Sequence, residues 1–244
     1  MIEVKNLRKT FGKVVAVDDV SFRAENGQVT GLLGPNGAGK TTTLRVLYTI
    51  LKPDSGTAAV DGHDVMRDPI EVQRRIGVLP DNHGLYPRLS ARENIRYYGR
   101  LHGLGGGTLE TKIDELIKIL EMDDFSDRRT EGFSNGQRMK VAIARALVHD
   151  PDNVLLDEPT NGLDVMSTRS MRAFIRRLRD EGKCVLFSSH IMQEVSALCD
   201  HIVVINHGLV AASGSAETLK RETGRENLED AFVAAIGSEE GLQR

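Results

Sequence analysis

The chain has 244 residues, enough for one large domain or two small ones. Its hydrophobic content of 40% supports a real core, and with 5% aromatics and no Trp that core is predicted to be aliphatic, as in parallel sheets. A net charge of −3 argues against a broad nucleic-acid or anionic-lipid surface, and no apolar run approaches the length of a membrane span. Met1-Ile2-Glu3-Val4-Lys5 does not read as a signal peptide. Cys184 and Cys199 lack metal-ligand spacing and read as reduced core thiols of a cytosolic protein.

In chain order, Ile2-Glu3-Val4, Val14-Val15-Ala16-Val17 and Val20-Ser21-Phe22 read as strands, with Asn26-Gly27 as a turn signal. Gln28 to Leu33 is a buried strand, and Thr42 to Leu47 reads as a helix stopped by Lys52-Pro53-Asp54-Ser55-Gly56. Strands follow at Thr57–Val60 and Ile76–Leu79. From 81 to about 150 the pattern turns helical: Ser90-Ala91-Arg92-Glu93 is a capping box, Gly105-Gly106-Gly107 a flexible turn, and Leu109, Ile113, Leu116, Ile117 and Leu120 share a helical face. A third helix starts near Ser134 and runs to Leu147. Strand character returns at Val154–Leu156, Cys184–Phe187 and Ile202–Ile205, separated by helices, one with Met171, Phe174, Ile175 and Leu178 on a face. Arg172, Arg176, Arg177 and Arg179 on that helix read as a solvated face. The pattern predicts an α/β fold, a mostly parallel sheet covered by helices. The domains are drawn as an α/β core with a β subdomain over 1–80 and 151–214, a helical insertion over 81–150, and a helical tail over 215–244.

The chemistry centres on Gly34-Pro35-Asn36-Gly37-Ala38-Gly39-Lys40-Thr41, a G-x-x-x-x-G-K-[ST] loop between a strand and a helix that continues through Thr42. Glycines let successive N–H groups converge on an anion, and the helix N-terminus adds positive charge. Lys40 is placed to reach the β- and γ-phosphates of a nucleoside triphosphate, and the Thr41 hydroxyl to ligate Mg²⁺. Asn153-Val154-Leu155-Leu156-Asp157-Glu158-Pro159 is an apolar strand ending in two carboxylates. Asp157 stands where Mg²⁺ needs an anion, and Glu158 can hold or deprotonate a water in line with the γ-phosphate. Ser134-Asn135-Gly136-Gln137 is a plain capping box and also an anion-binding helix start. His190, just past a strand, is a candidate γ-phosphate contact.

In this order, these motifs resemble the ATP-binding-cassette (ABC) ATPases over about residues 2–220. The resemblance implies a P-loop NTPase (RecA-like) core, an antiparallel N-terminal β subdomain and an inserted helical subdomain. It implies ATP and Mg²⁺ as cofactors. Asp157 and Glu158 match the Walker B aspartate and catalytic glutamate, and Ser134, Gly136 and Gln137 the signature loop. Asn161-Gly162-Leu163-Asp164 matches the D-loop, His190 the switch histidine, and Phe11 the aromatic that stacks on adenine, where the bland alternative is a core Phe. Asn135 replaces a signature glycine and is expected to tolerate a left-handed backbone. Asp81 replaces the family's glutamine, one methylene shorter and unable to donate when ionised, yet able to bind Mg²⁺.

The resemblance further implies two cassettes packed head to tail, a separate membrane permease as partner, and a place on the inner face of the cell membrane. No nucleic-acid partner is expected. The stretches Gly84–Ser90 and Asn227–Phe232 look like the bacterial branch that exports drugs and ions. The run Ile76–Gly99, with Arg138-Met139-Lys140, looks like the NatA-type subunits of sodium exporters. The competing classes are a soluble mechanochemical ABC ATPase and a cassette with weak turnover. The insertion of about 70 residues is too short for a long coiled coil, and Glu158 and His190 are both present.

Overall fold

A computed structural model describes residues 1–81 and 84–237, so residues 82 and 83 of the helical insertion and 238–244 of the tail lie outside the described residues. The elements run β1 (Ile2–Phe11), β2 (Val14–Ala24), β3 (Val29–Leu33), α1 (Lys40–Leu47), β4 (Ser55–Val60), β5 (His63–Asp64), α2 (Pro69–Arg75) and β6 (Ile76–Leu79). Helices α3 (Ala91–Leu101), α4 (Gly106–Ile119) and α5 (Asn135–Leu147) follow. The chain then alternates through β7 (Asn153–Asp157), α6 (Val165–Asp180), β8 (Cys184–Ser189), α7 (Met192–Leu198) and β9 (His201–Asn206), and ends with β10 (Leu209–Gly214), α8 (Ala216–Thr223) and α9 (Leu228–Ile236).

Two sheets form. One is antiparallel, in the order β2-β1-β4-β5. The other has the order β10-β9-β3-β8-β7-β6 and is parallel except for its β10 edge. Successive strand side chains point to opposite faces, and here each face has its own core. Leu32, Leu155, Leu186, Val203 and Ile205 pack with the antiparallel sheet and α1. Their chain neighbours Leu33, Leu156, Phe187 and Val204 pack with the helices of the opposite side. Near-continuous apolar strands are what a sheet covered on both faces requires.

Several local expectations need correction. The two short strands read at 14–22 are one strand, broken in register at Asp19, whose φ is 69°. Two residues of the supposed Gly105-Gly106-Gly107 turn open α4 instead. Strand β10 was not anticipated; its hairpin turns on His207 and Gly208, at φ 49° and 77°. The Ser90 capping box forms as read: its hydroxyl accepts from the Glu93 amide at 3.1 Å and the Glu93 carboxylate accepts from the Ser90 amide at 2.7 Å. Both cysteines are free.

At the seam between α3 and α5, His102 and His149 stack with ring centroids 3.6 Å apart. Nε2 of His149 lies 2.9 Å from the Ile76 carbonyl oxygen. Burial, with His102 beside it, pushes the His149 pKa down to about 4. Unfolding exposes that ring to its ordinary value near 6.5, so the unfolded chain takes up a proton that the fold refuses. The contribution of His149 to stability is therefore full above about pH 6.5 and falls as pH drops toward about 4. We expect His149→Phe to flatten the loss of thermal midpoint between pH 7.5 and pH 5. An unchanged slope would remove His149 as its cause.

Candidate active site

Parallel pairing brings three strand ends together. In the order β3-β8-β7, Leu33 is opposite Ser189 and Asp157 is opposite Ser188. The glycine loop, the two carboxylates and His190 therefore emerge side by side at the carboxyl ends, where open α/β sheets bind ligands.

The loop is built by close approach. Gly39 has φ 108°, and a Cβ there would meet the Ala16 carbonyl oxygen of β2 at 2.5 Å. A Cβ on Gly34 would meet the Ile205 carbonyl oxygen at 2.2 Å. Pro35, Asn36 and Gly37 are exposed, while Ala38, Gly39 and Lys40 are buried. Lys40 opens α1 and, with Thr41 and Thr42, carries amides that have no acceptor within the helix. Its Nζ donates to the Gly34 carbonyl at 2.7 Å and lies 3.5 Å from Glu158 Oε1. Burial pulls the Lys40 pKa down, while Glu158 and Asp157 push it back up.

Asp157 is 2% exposed. Its Oδ1 accepts from Thr41 Oγ1 at 3.0 Å and from Ser188 Oγ at 2.7 Å. Burial raises its pKa against those two hydrogen bonds, and the charges of Asp81 and Glu158 raise it further. Desolvation of this kind favours a cation beside the carboxylate. Glu158 has a left-handed backbone, φ 49°. Its amide donates to Ser188 Oγ at 3.0 Å, and its Oε2 lies 2.9 Å from His190 Nδ1. Such a conformation in a glutamate persists only where the surroundings impose it.

These contacts unite Lys40, Thr41, Asp157, Glu158 and His190. Asp81 joins them through its charge at Asp157, and it also lines a cleft of about 620 Å³ walled by Asn135, Arg138 and Asn161. Ser134, Asn135, Gly136, Gln137 and Asp164 stand apart: among the described residues, no hydrogen bond or ion pair joins them to the cluster. Ser134 caps α5, its hydroxyl accepting from the Gln137 amide at 3.2 Å. Asn135 is the first helical residue and is absent from the positive-φ set, so the expected left-handed backbone is not used. Asp164 caps α6, with hydrogen bonds from the Ser167 amide and hydroxyl that hold its pKa down. Gly136 sits beside Ser167, so the α5 and α6 starts adjoin. Phe11 is 48% exposed at the tip of the β1–β2 hairpin and is not a core residue.

The residues fit a triphosphate with a divalent cation. The buried Lys40 ammonium, the first-turn amides of α1 and the buried Asp157 carboxylate supply the charges and donors that such a pair needs. Among the described residues, no three His, Cys, Asp or Glu cluster as a metal cage. Mg²⁺ bound through one carboxylate, a hydroxyl and phosphates needs none. Ser188 was missed from sequence. Its bridging role follows from the register of β7 against β8, which no motif spells out.

Fold and site define a P-loop α/β nucleotide-binding protein with a helical insertion. The profile of the family described as ABC transporter matches residues 17–161. The chain is 49% identical over 224 residues to the ABC transporter ATP-binding protein NatA of Bacillus subtilis (strain 168), covering 91% of each. It is 38% identical to the doxorubicin resistance ATP-binding protein DrrA of Mycobacterium tuberculosis (strain CDC 1551 / Oshkosh), covering 97% of this chain and 75% of that one. A solved dimeric structure of the ATP-binding cassette MJ0796, in a post-hydrolysis state bound to ADP and Pi, superposes with a TM-score of 0.81 at 26% identity, covering 88% and 98%. This chain belongs to the ABC transporter family. Among the described residues no helix is long and apolar enough to cross a membrane.

Proposed function

We propose that the chain is the ATP-hydrolysing subunit of an exporter whose membrane permease is a separate chain. Its cargo is an ion, Na⁺ foremost, or a drug. One observation carries the hydrolytic reading: the convergence of Lys40, Thr41, Asp157, Glu158 and His190 at the carboxyl ends of β3, β7 and β8. The loop from Gly34 to Gly39 wraps the phosphates with its N–H groups, Pro35 excepted, Lys40 neutralises the β- and γ-oxygens, and Thr42 continues the amide row. Thr41 and Asp157 are the residues that would hold Mg²⁺, with Asp81 as a further oxygen donor. Bound there, Mg²⁺ offsets charge developing on the transferred group. Glu158 orients the attacking water and accepts its proton, while His190 donates toward the γ-phosphate. Phe11 stacks on the adenine.

Ser134, Asn135, Gly136, Gln137 and Asp164 act on the site of a second copy packed head to tail. Their separation from the Lys40 cluster within one chain supports this arrangement. So do Val165 and Met166, 83% and 69% exposed beside Asp164, an apolar surface that a second cassette would cover. The permease helix docks in a groove of about 670 Å³ where Ile50, Ile70 and Leu101 are exposed beside Tyr98 and Arg145.

The purified chain is expected to release phosphate from ATP with Mg²⁺ and to stop when EDTA removes it. Asp81→Gln reads whether the aspartate has replaced the family's glutamine: a rate falling severalfold supports a role at the metal, an unchanged rate removes it. Co-purification from membranes, lost in Leu101→Glu, tests the groove. A chain that releases no phosphate with Mg²⁺ contradicts the hydrolytic reading, and one that never partitions with membranes favours the soluble mechanochemical class.

A further inference from the structure

A buried polar network lies behind the site and belongs to none of its motifs. Glu194, on α7, is 2% exposed. The hydroxyl of Thr160, itself 5% exposed, donates to Glu194 Oε2. On the other side Arg172 Nη2 of α6 lies 3.6 Å from Glu194 Oε1. A carboxylate so removed from water is retained only with such partners. Arg172 Nε stays buried without a partner, so the network has spare donor capacity.

What matters is the segments it joins. Thr160 is two residues past Glu158, and its carbonyl accepts from the Leu163 amide at 3.2 Å, in the turn that leads to Asp164. Arg172 rides on the helix that Asp164 caps. Glu194 sits in the first turn of the helix that follows His190, whose loop is also tied by the Ile191 amide donating to Ser189 Oγ at 3.0 Å. Arg176 adds a second tie between the helices, donating to the Ala197 carbonyl at 3.1 Å. The left-handed Glu158 is thus pinned on its amide side by Ser188 and on its carbonyl side by the Thr160 segment.

We infer that Glu194 is a positioning residue: through Thr160 and Arg172 it fixes the Glu158 segment and the His190 loop relative to one another and to the helix that starts at Asp164. The inference rests on the hydrolytic reading above.

The test uses Thr160→Val, Thr160→Ser, Glu194→Gln and the double variant Thr160→Val/Glu194→Gln in the full chain, with melting midpoints measured alongside. Small misplacement of reacting groups costs up to about a hundredfold in rate, so Thr160→Val is expected to lower kcat about tenfold, with KM for ATP within about twofold. Thr160→Ser restores most of the rate by returning the hydroxyl. Because both residues act through one contact, the double variant loses no more than the worse single variant. Without nucleotide, amides of 189–196 exchange faster in Thr160→Val than in wild type. An unchanged kcat in Thr160→Val, failure of Ser to restore it, additive losses, or unchanged exchange would each overturn the inference. If wild type releases no phosphate, the hydrolytic reading alone falls, and the exchange comparison still decides whether the tie positions the His190 loop.

Discussion

Glu158→Gln is expected to lower steady-state phosphate release about a thousandfold, within the range general-base catalysis supplies. The substitution keeps the shape of the side chain and removes only its charge and basicity. The left-handed backbone, the Ser188 contact to the amide and the Lys40 neighbour all stay. Binding is therefore expected to survive. It should tighten modestly, because a carboxylate 3.5 Å from Lys40 competes with the phosphates for that ammonium. The check is kcat against nucleotide affinity in the same preparation: kcat collapses and the dissociation constant does not rise. A variant retaining a tenth of the wild-type rate would remove Glu158 as the base.

Lys40→Ala is expected to act at the earlier step, weakening ATP binding at least about 100-fold, or ~3 kcal/mol. Lys40 is 5% exposed and is the cation within reach of both the loop carbonyls and Glu158. Without it, the amides of the loop still point at the phosphates, but Asp157 and Glu158 stand unneutralised and repel them. Burial also makes this ammonium electrostatically strong, since little water screens it. Thermal midpoint provides the readout. Mg-ATP raises the midpoint of the wild type by mass action and leaves that of Lys40→Ala where it was. An equal rise in both would mean that the loop amides alone hold the nucleotide.

Much of this site was legible because its residues are contiguous. The loop from Gly34 to Thr41, and the Asp157-Glu158 pair at a strand end, carry their chemistry in spacings of a few residues. The capping boxes at Ser90 and Ser134 were legible for the same reason. What escaped depends on distant segments meeting. Ser188 became visible only when β8 settled between β3 and β7. Thr160 and Glu194 are 34 residues apart, and nothing local marks them as partners. Arg172 and Arg176 read as members of a solvated face, yet each reaches α7. Arg176 stays exposed while it does so, whereas the Arg172 Nε is buried, which helical periodicity alone does not register. Asn135 needs no left-handed backbone because it starts the helix, a placement that its residue type does not disclose.

In the function proposed above, one chain holds two halves of different sites, with Lys40 and Glu158 completed by Ser134 and Gly136 of a second copy. The most direct measurement is the solution mass of Glu158→Gln with saturating Mg-ATP. The expected result is a stable two-copy species that disappears without nucleotide and never forms when Lys40→Ala is added. A Glu158→Gln chain that stays monomeric with ATP bound would contradict it.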